Sequence, residues 1–296
     1  MNQKIAFFIL LFFLSACSSE VVLNDLPVDH KLVLNSLITP DQPIIVSLSS
    51  TIPASENIYP EIDNATVSLY KNDVFIENLT SVGHGKYQAA HTPEPGATYT
   101  LTAEAPGYEP VKATEKVQKS VIEPMDVTGF SYECRATYIE DMEFGSLQFD
   151  LQDYTDTDAN TNYYEIIIIH STDIEDNGEV RESFGNVFYV SNEAVDMRNF
   201  DPPYPNTILF TNKAFAGRSI HFNIFSNSSS SPLKIRKVSA AYYQYKTTMY
   251  LHRYNQIGDD VSFFGQGSPV PVFSNVQNGY GIFASYSEYV YNYMNN

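Results

Sequence analysis

The sequence predicts an all-β protein: an immunoglobulin-like β-sandwich, then a second β-rich domain carrying one α-helix. Three observations carry that reading. The composition favours strands, with 22 Tyr and 19 Phe among 296 residues and no Trp. Short runs of alternating apolar residues recur along the chain, each closed by Pro, Gly, Asn or Asp. One window only, Ser239 to Gln256, repeats its apolar residues at helical spacing instead.

The first residues stand apart from this pattern. Lys4 precedes an apolar run, Ile5 to Leu14, which is too short to cross a bilayer as a permanent helix. A charged start, a short apolar run and small residues at the end describe a secretory signal over 1–16. The order Leu14-Ser15-Ala16-Cys17 makes it a lipoprotein signal, with Cys17 as the lipidated residue. Acyl chains contribute about 0.8 kcal/mol per buried methylene, so several on one residue anchor firmly. Residues 17–29 are short and polar and read as the tether.

The first domain is expected over 30–118. Lys31 to Ile38 is a strand, stopped by Thr39-Pro40-Asp41. Ile44 to Ser49 follows, with Ile44, Val46 and Leu48 on one face. Ala65, Val67 and Leu69 point inward on the next strand, and Asn72-Asp73 turns it into Val74 to Leu79. Gly83-His84-Gly85 turns into Lys86 to Ala90. Pro95-Gly96 precedes Tyr99 to Ala103, and Pro106-Gly107 precedes Val111 to Val117. Turns at this spacing and a length near 100 residues are those of an immunoglobulin-like sandwich.

The second domain is expected over 119–296, entered through Ile122-Glu123-Pro124-Met125. Strands are predicted at Thr128 to Glu133, Phe144 to Leu151, Tyr163 to His170, Phe184 to Val190, Ile208 to Phe210, Ser219 to Phe225 and Leu233 to Val238. Ile166 to Ile169 is a continuous apolar run, as in a strand buried on both faces. Asp201 to Pro205 is a stiff connector and Asn227 to Pro232 a serine-rich loop. The helix spans 239–256, with Ser239 as cap and Val238, Tyr242, Tyr245, Met249 and His252 on one face. Pro269 to Tyr286 is expected as a closing strand against that face, carrying Val270, Val272, Phe273, Ile282 and Phe283. Glycines beside aromatics at Gly279-Tyr-Gly281 mark a close backbone approach or a bulge. Tyr286, Tyr289, Tyr291 and Tyr293 form either a contact surface or an edge strand with alternate Tyr inward.

The formal charge of −18 argues against nucleic acid and anionic head groups as partners. Cys17 and Cys134 are the two cysteines, and lipidation uses the first, so Cys134 is read as a small buried hydrophobe. His30, His84, His91, His170, His221 and His252 are scattered, with no His-Glu-x-x-His. Neither a Gly-x-Ser-x-Gly elbow nor a phosphate loop occurs. Asp156, Asp158 and Asn160 occupy the first, third and fifth places of a calcium loop, but Thr161 and Ile167 stand where Gly and Glu are required. With those two requirements missing, the preferred reading is a solvated turn whose Asx side chains cap backbone groups. The expectation is a non-enzyme without a cofactor.

Several short motifs, in order, resemble one family. They are the Cys17 signal, Leu32-Val-Leu-Asn-Ser-Leu-Ile38, Asn64-Ala-Thr-Val67, Tyr87 and Pro95-Gly96-Ala-Thr-Tyr99. Asn162-Tyr-Tyr164, Phe215-Ala-Gly217, Pro269-Val-Pro-Val-Phe-Ser-Asn275 and Gly279-Tyr-Gly-Ile-Phe283 complete the set. Together they resemble domain-of-unknown-function family 4249 (DUF4249), with Gln277-Asn278 where Glu-Gly is common. The resemblance implies an outer-membrane lipoprotein, exposed at the cell surface, that partners a TonB-dependent transporter of the SusC-like kind in nutrient uptake. A stand-alone adhesin or glycan-binding module is the alternative.

Overall fold

The computed structural model describes residues 29–40, 42–53, 56, 58–118, 127–139, 142–153, 161–174, 180–184, 187–191, 194–195, 207–226, 233–256 and 270–291. The signal, Cys17, most of the tether, the crossing at 122–125, Asp156, Asp158, Asn160, the 201–205 connector, the 227–232 loop, Pro269 and Tyr293 lie outside the described residues. Cys134 lies on a described strand, but its side chain does not belong to the described ones.

The first part contributes β1 (Leu32–Ile38), β2 (Ile45–Ser50), β3 (Thr66–Lys71), β4 (Val74–Asn78), β5 (Thr80–Gly83), β6 (Lys86–Gln88), β7 (Thr98–Glu104) and β8 (Val111–Lys116). Then come β9 (Val127–Ile139), β10 (Met142–Gln152), β11 (Tyr163–Ile174), β12 (Val180–Phe184), β13 (Val187–Ser191), β14 (Thr207–Thr211), β15 (Ser219–Ser226) and β16 (Leu233–Val238). The helix α1 (Ala240–Gln256) precedes β17 (Val276–Gln277) and the long β18 (Tyr280–Tyr291). The protein is therefore mostly β, with one α-helix among the described residues.

Three sheets stack these strands. A nine-stranded sheet runs β12-β11-β16-β18-β1-β2-β6-β5, with β14 also paired to β11. A five-stranded sheet, β17-β8-β7-β3-β4, meets its β1 end, and a four-stranded sheet, β13-β15-β10-β9, meets its β11 end. Two cores result. Leu32, Leu34, Val46, Val67, Leu69, Tyr99 and Leu101 fill the first. Phe149, Phe222, Phe210, Ile166, Ile168 and Ile235 fill the second, where Phe149 and Phe222 stack with ring centroids 5.1 Å apart. The alternation read from Ile44, Val46 and Leu48 holds: all three are buried.

β18 joins the two sandwiches. Tyr280 to Ser285 pair in parallel with Val33 to Ile38, and Tyr286 to Tyr291 pair antiparallel with Val238 to Leu233. A single strand thus serves both cores, its N-terminal half one and its C-terminal half the other. Ile166 to Ile169 are all buried, because β11 carries core on one face and lies beside α1 on the other.

Four local expectations change. Phe184 to Val190 is not one strand: β12 pairs with β11, whereas β13 pairs with β15 in another sheet. Thr80 to Gly83, unassigned from sequence, forms β5 at a sheet edge. The stretch from Pro271 to Asn275 makes no ladder, and the closing strand begins only at Val276. The tyrosine-rich tail is not an edge: β18 lies between β1 and β16, with Tyr289 and Tyr291 against the second core and Tyr286 on the helix side.

Candidate functional site

The closing segment is where the most sequence-specific geometry sits. Gly281 has φ +113°, and a Cβ there would stand 2.0 Å from the Leu34 carbonyl oxygen. At Gly279 a Cβ would meet the Leu32 carbonyl oxygen at 2.4 Å. Only glycine lets β18 enter this close beside β1, as the aromatic-glycine pattern suggested. Asn278 has φ 62°, a left-handed conformation that Asn tolerates better than most residues, and its Nδ2 donates to the Pro110 carbonyl at 3.2 Å. This explains how Asn stands where the resembling family commonly has Gly.

Past the end of β16, β18 needs other partners on its open side. Asn275 supplies one set: its Nδ2 donates to the Phe283 carbonyl at 2.7 Å and its Oδ1 accepts from the Phe283 N–H at 2.9 Å. Ser239 supplies the next. Its N–H donates to the Ser285 carbonyl at 2.9 Å, and its Oγ accepts from the Ser285 N–H at 3.3 Å. The same Oγ accepts from the Tyr242 N–H at 3.2 Å, so the predicted cap of α1 also closes a sheet. Phe273, Ile282 and Ala284 pack beneath the helix with Tyr242 and Tyr245, but Phe283 points the other way, into the first core. That corrects the expected helix contact of Phe283; on a strand, neighbouring residues face opposite sides.

The seam between the sandwiches holds a buried acid. Glu115 Oε1 accepts from Ser285 Oγ at 2.6 Å, and Gln118 Nε2 donates to the Val238 carbonyl. Burial raises the Glu115 carboxyl to about 7, against the opposing pull of the Ser285 and Ser239 hydroxyls.

A second acid lies under α1. Glu165 is fully buried, yet Lys246 (3.4 Å) and Arg236 (3.2 Å) flank its carboxylate. Tyr242 OH donates to it at 2.5 Å and Thr207 Oγ1 at 2.8 Å. Burial alone would push the carboxyl up; the two cations and these hydroxyls overcome it and hold the acid below its ordinary range. Arg236 also reaches Glu288 at 2.6 Å and sits 4.7 Å from the centre of the Tyr286 ring. Tyr242, buried beside that carboxylate, has its hydroxyl pushed well above the usual phenol range. These contacts join α1, through Tyr242 and Lys246, to β11, β16 and β18, so the cluster clamps helix to sheet.

A third acid, Asp153, accepts from Asn162 Nδ2 (2.8 Å), Tyr164 OH (2.9 Å), Asn212 Nδ2 (2.9 Å) and the Gly217 N–H (3.2 Å). Its oxygens are engaged by these donors. Among the described residues, no group of three or more His, Cys, Asp or Glu stands together as metal ligands. Sequence reasoning did not single out Glu115 or Glu165, and it read Asp153 only as the start of the polar stretch 153–162. One signal existed for Glu165, a lone acid before an isoleucine run.

The chain matches Domain of unknown function (DUF4249) over residues 19–292. It belongs to the DUF4249 family. No curated protein matches this DUF4249 chain. Solved structures similar to it include the collagen adhesin of S. aureus, at 8% identity over 89% of this chain and 93% of that one, TM-score 0.19. The collagen binding domain of the Erysipelothrix rhusiopathiae surface protein RspB is 8% identical over 90% and 95%, TM-score 0.18. The B domain of a biofilm associated protein is 7% identical over 88% and 85%, TM-score 0.18. Superpositions this loose carry no argument about function.

Proposed function

We propose that this DUF4249 protein is an outer-membrane lipoprotein, anchored through acyl chains on Cys17, that serves as a non-enzymatic accessory or cargo-binding partner of a TonB-dependent transporter. The observation that carries the anchor is the order Lys4, apolar 5–14, Leu14-Ser15-Ala16-Cys17. No helix among the described residues is long and apolar enough to cross a membrane. The non-enzymatic part is supported by how the buried acids are used. Glu115, Glu165 and Asp153 each spend their oxygens on neighbouring hydroxyls, amides or cations. The transporter partnership rests on the family resemblance of the motifs.

The test has two arms. Cys17→Ala is expected to move the protein from washed membranes to the soluble fraction; retention overturns the anchor. Purification of the native protein in mild detergent is expected to bring a large β-barrel transporter with it. Binding to glycan or matrix arrays without a barrel partner would instead identify an adhesin.

A further inference from the structure

The end of the first sandwich that lies away from the seam gathers four chain segments. Lys31, where the chain enters, exchanges hydrogen bonds with Thr51: N–H to Oγ1 at 2.9 Å, and carbonyl from the Thr51 N–H at 3.0 Å. The Ser50 N–H reaches the Pro60 carbonyl at 3.1 Å, which brings the loop carrying Ile58 and Tyr59 to the same end. Asn278 is tied to Pro110 there, and Lys31 Nζ stands 5.9 Å from the centre of the Tyr280 ring. Ile58 is 84% exposed, Tyr59 63% and Tyr280 53%.

We infer that this pole, through Ile58, Tyr59 and Tyr280, rests on a zwitterionic phospholipid surface. The inference builds on the lipid anchor proposed above. From Cys17 to Asp29 the chain spans at most about 40 Å when fully extended, so of the whole body this end is held nearest the bilayer. Tyr places an apolar ring and a polar tip at head-group depth, and Ile enters slightly deeper. The charges select the lipid. Lys31 is paired with Asp29 at 3.0 Å and faces Glu109, and the exposed acids Glu56, Glu61 (paired with His84 at 3.3 Å) and Asp63 outnumber the exposed cation Lys112 at this end, so anionic head groups are repelled. The second sandwich and α1 then project away from the membrane.

Amide hydrogen exchange of the full lipidated protein in phosphatidylcholine nanodiscs, against the Cys17→Ala protein in solution, tests this. Slowed exchange in peptides covering 58–62, 106–110 and 278–281 is the expected result, reversed by Ile58→Glu with Tyr59→Glu while the protein stays on the disc. Phosphatidylglycerol in the disc should weaken the protection. If the protein binds the disc but these peptides exchange as in solution, the body floats free and the docking surface is overturned with the anchor intact. A protein that fails to join the disc overturns the anchor itself. Protection of the same peptides at high concentration without lipid assigns the surface to a second copy and overturns the lipid reading.

Discussion

Asn275 and Phe283 are joined by two hydrogen bonds, side-chain amide to backbone, at 2.7 and 2.9 Å. One side chain thereby replaces a missing strand at the point where β18 has lost β16 and not yet left β1. Asn275→Ala orphans both an N–H and a C=O beside a core residue, at about 1–3 kcal/mol each. Chemical denaturation should show a loss of at least about 2 kcal/mol; an unchanged midpoint would mean that water replaces the amide.

Gly281→Ala tests close approach rather than backbone handedness. Its Cβ would overlap the Leu34 carbonyl oxygen, and its φ is +113°. Gly107, with φ +85° and nothing within 4 Å, isolates the handedness effect. We expect Gly107→Ala to cost about 1 kcal/mol. Gly281→Ala should cost about 3 kcal/mol or more and lower soluble yield. Equal losses would refute the contact argument.

Phe283→Ala should cost about 3–5 kcal/mol, since the ring is fully buried in the first core. Because it faces away from α1, helix-side contacts such as Tyr242 with Glu165 should survive in the folded fraction. Partner or cargo binding by that fraction should persist; loss of binding with an unchanged melting temperature would make the ring an interface residue.

Glu115 and Glu165 bias stability in opposite directions with pH. Burial raises the Glu115 carboxyl to about 7, so its protonated form stabilises the fold below the unfolded value near 4.5, and that contribution is lost as pH rises through 7. The span corresponds to about 3 kcal/mol. Glu165 is held low, so its contribution is present above the unfolded value and lost only in acid, as pH falls through its folded value. Glu115→Gln should therefore flatten the decline between pH 5 and 8, read from denaturation midpoints across that range. A slope that persists in the variant would place the titrating group elsewhere.

Removing Arg236 leaves Glu165 with Lys246 as its remaining cation, a buried charge half compensated. Arg236→Leu should cost about 3–5 kcal/mol. Tyr242→Phe removes one hydrogen bond to a charged group and should cost about 1.5–3 kcal/mol. Thermal melts of both variants give the ranking, and a larger loss for Tyr242→Phe would contradict it.

Local pattern sufficed wherever the physics was local. Period-two alternation placed Ile44, Val46 and Leu48 inward, the run Ile166 to Ile169 announced burial on both faces, and Ser239 announced a helix start. The glycines at 279 and 281 announced a close approach without naming its partner. Tertiary structure decided what each buried face meets. That Phe283 enters the first core while Ile282 enters the helix contact follows from β18 being shared by two sandwiches, and strand periodicity cannot say which layer lies on which side. Glu115 finds Ser285 at a separation of 170 residues, and Glu165 finds Arg236 at 71. Such acids look like ordinary surface residues until folding excludes water around them, because the desolvation that shifts their titration exists only in the assembled packing.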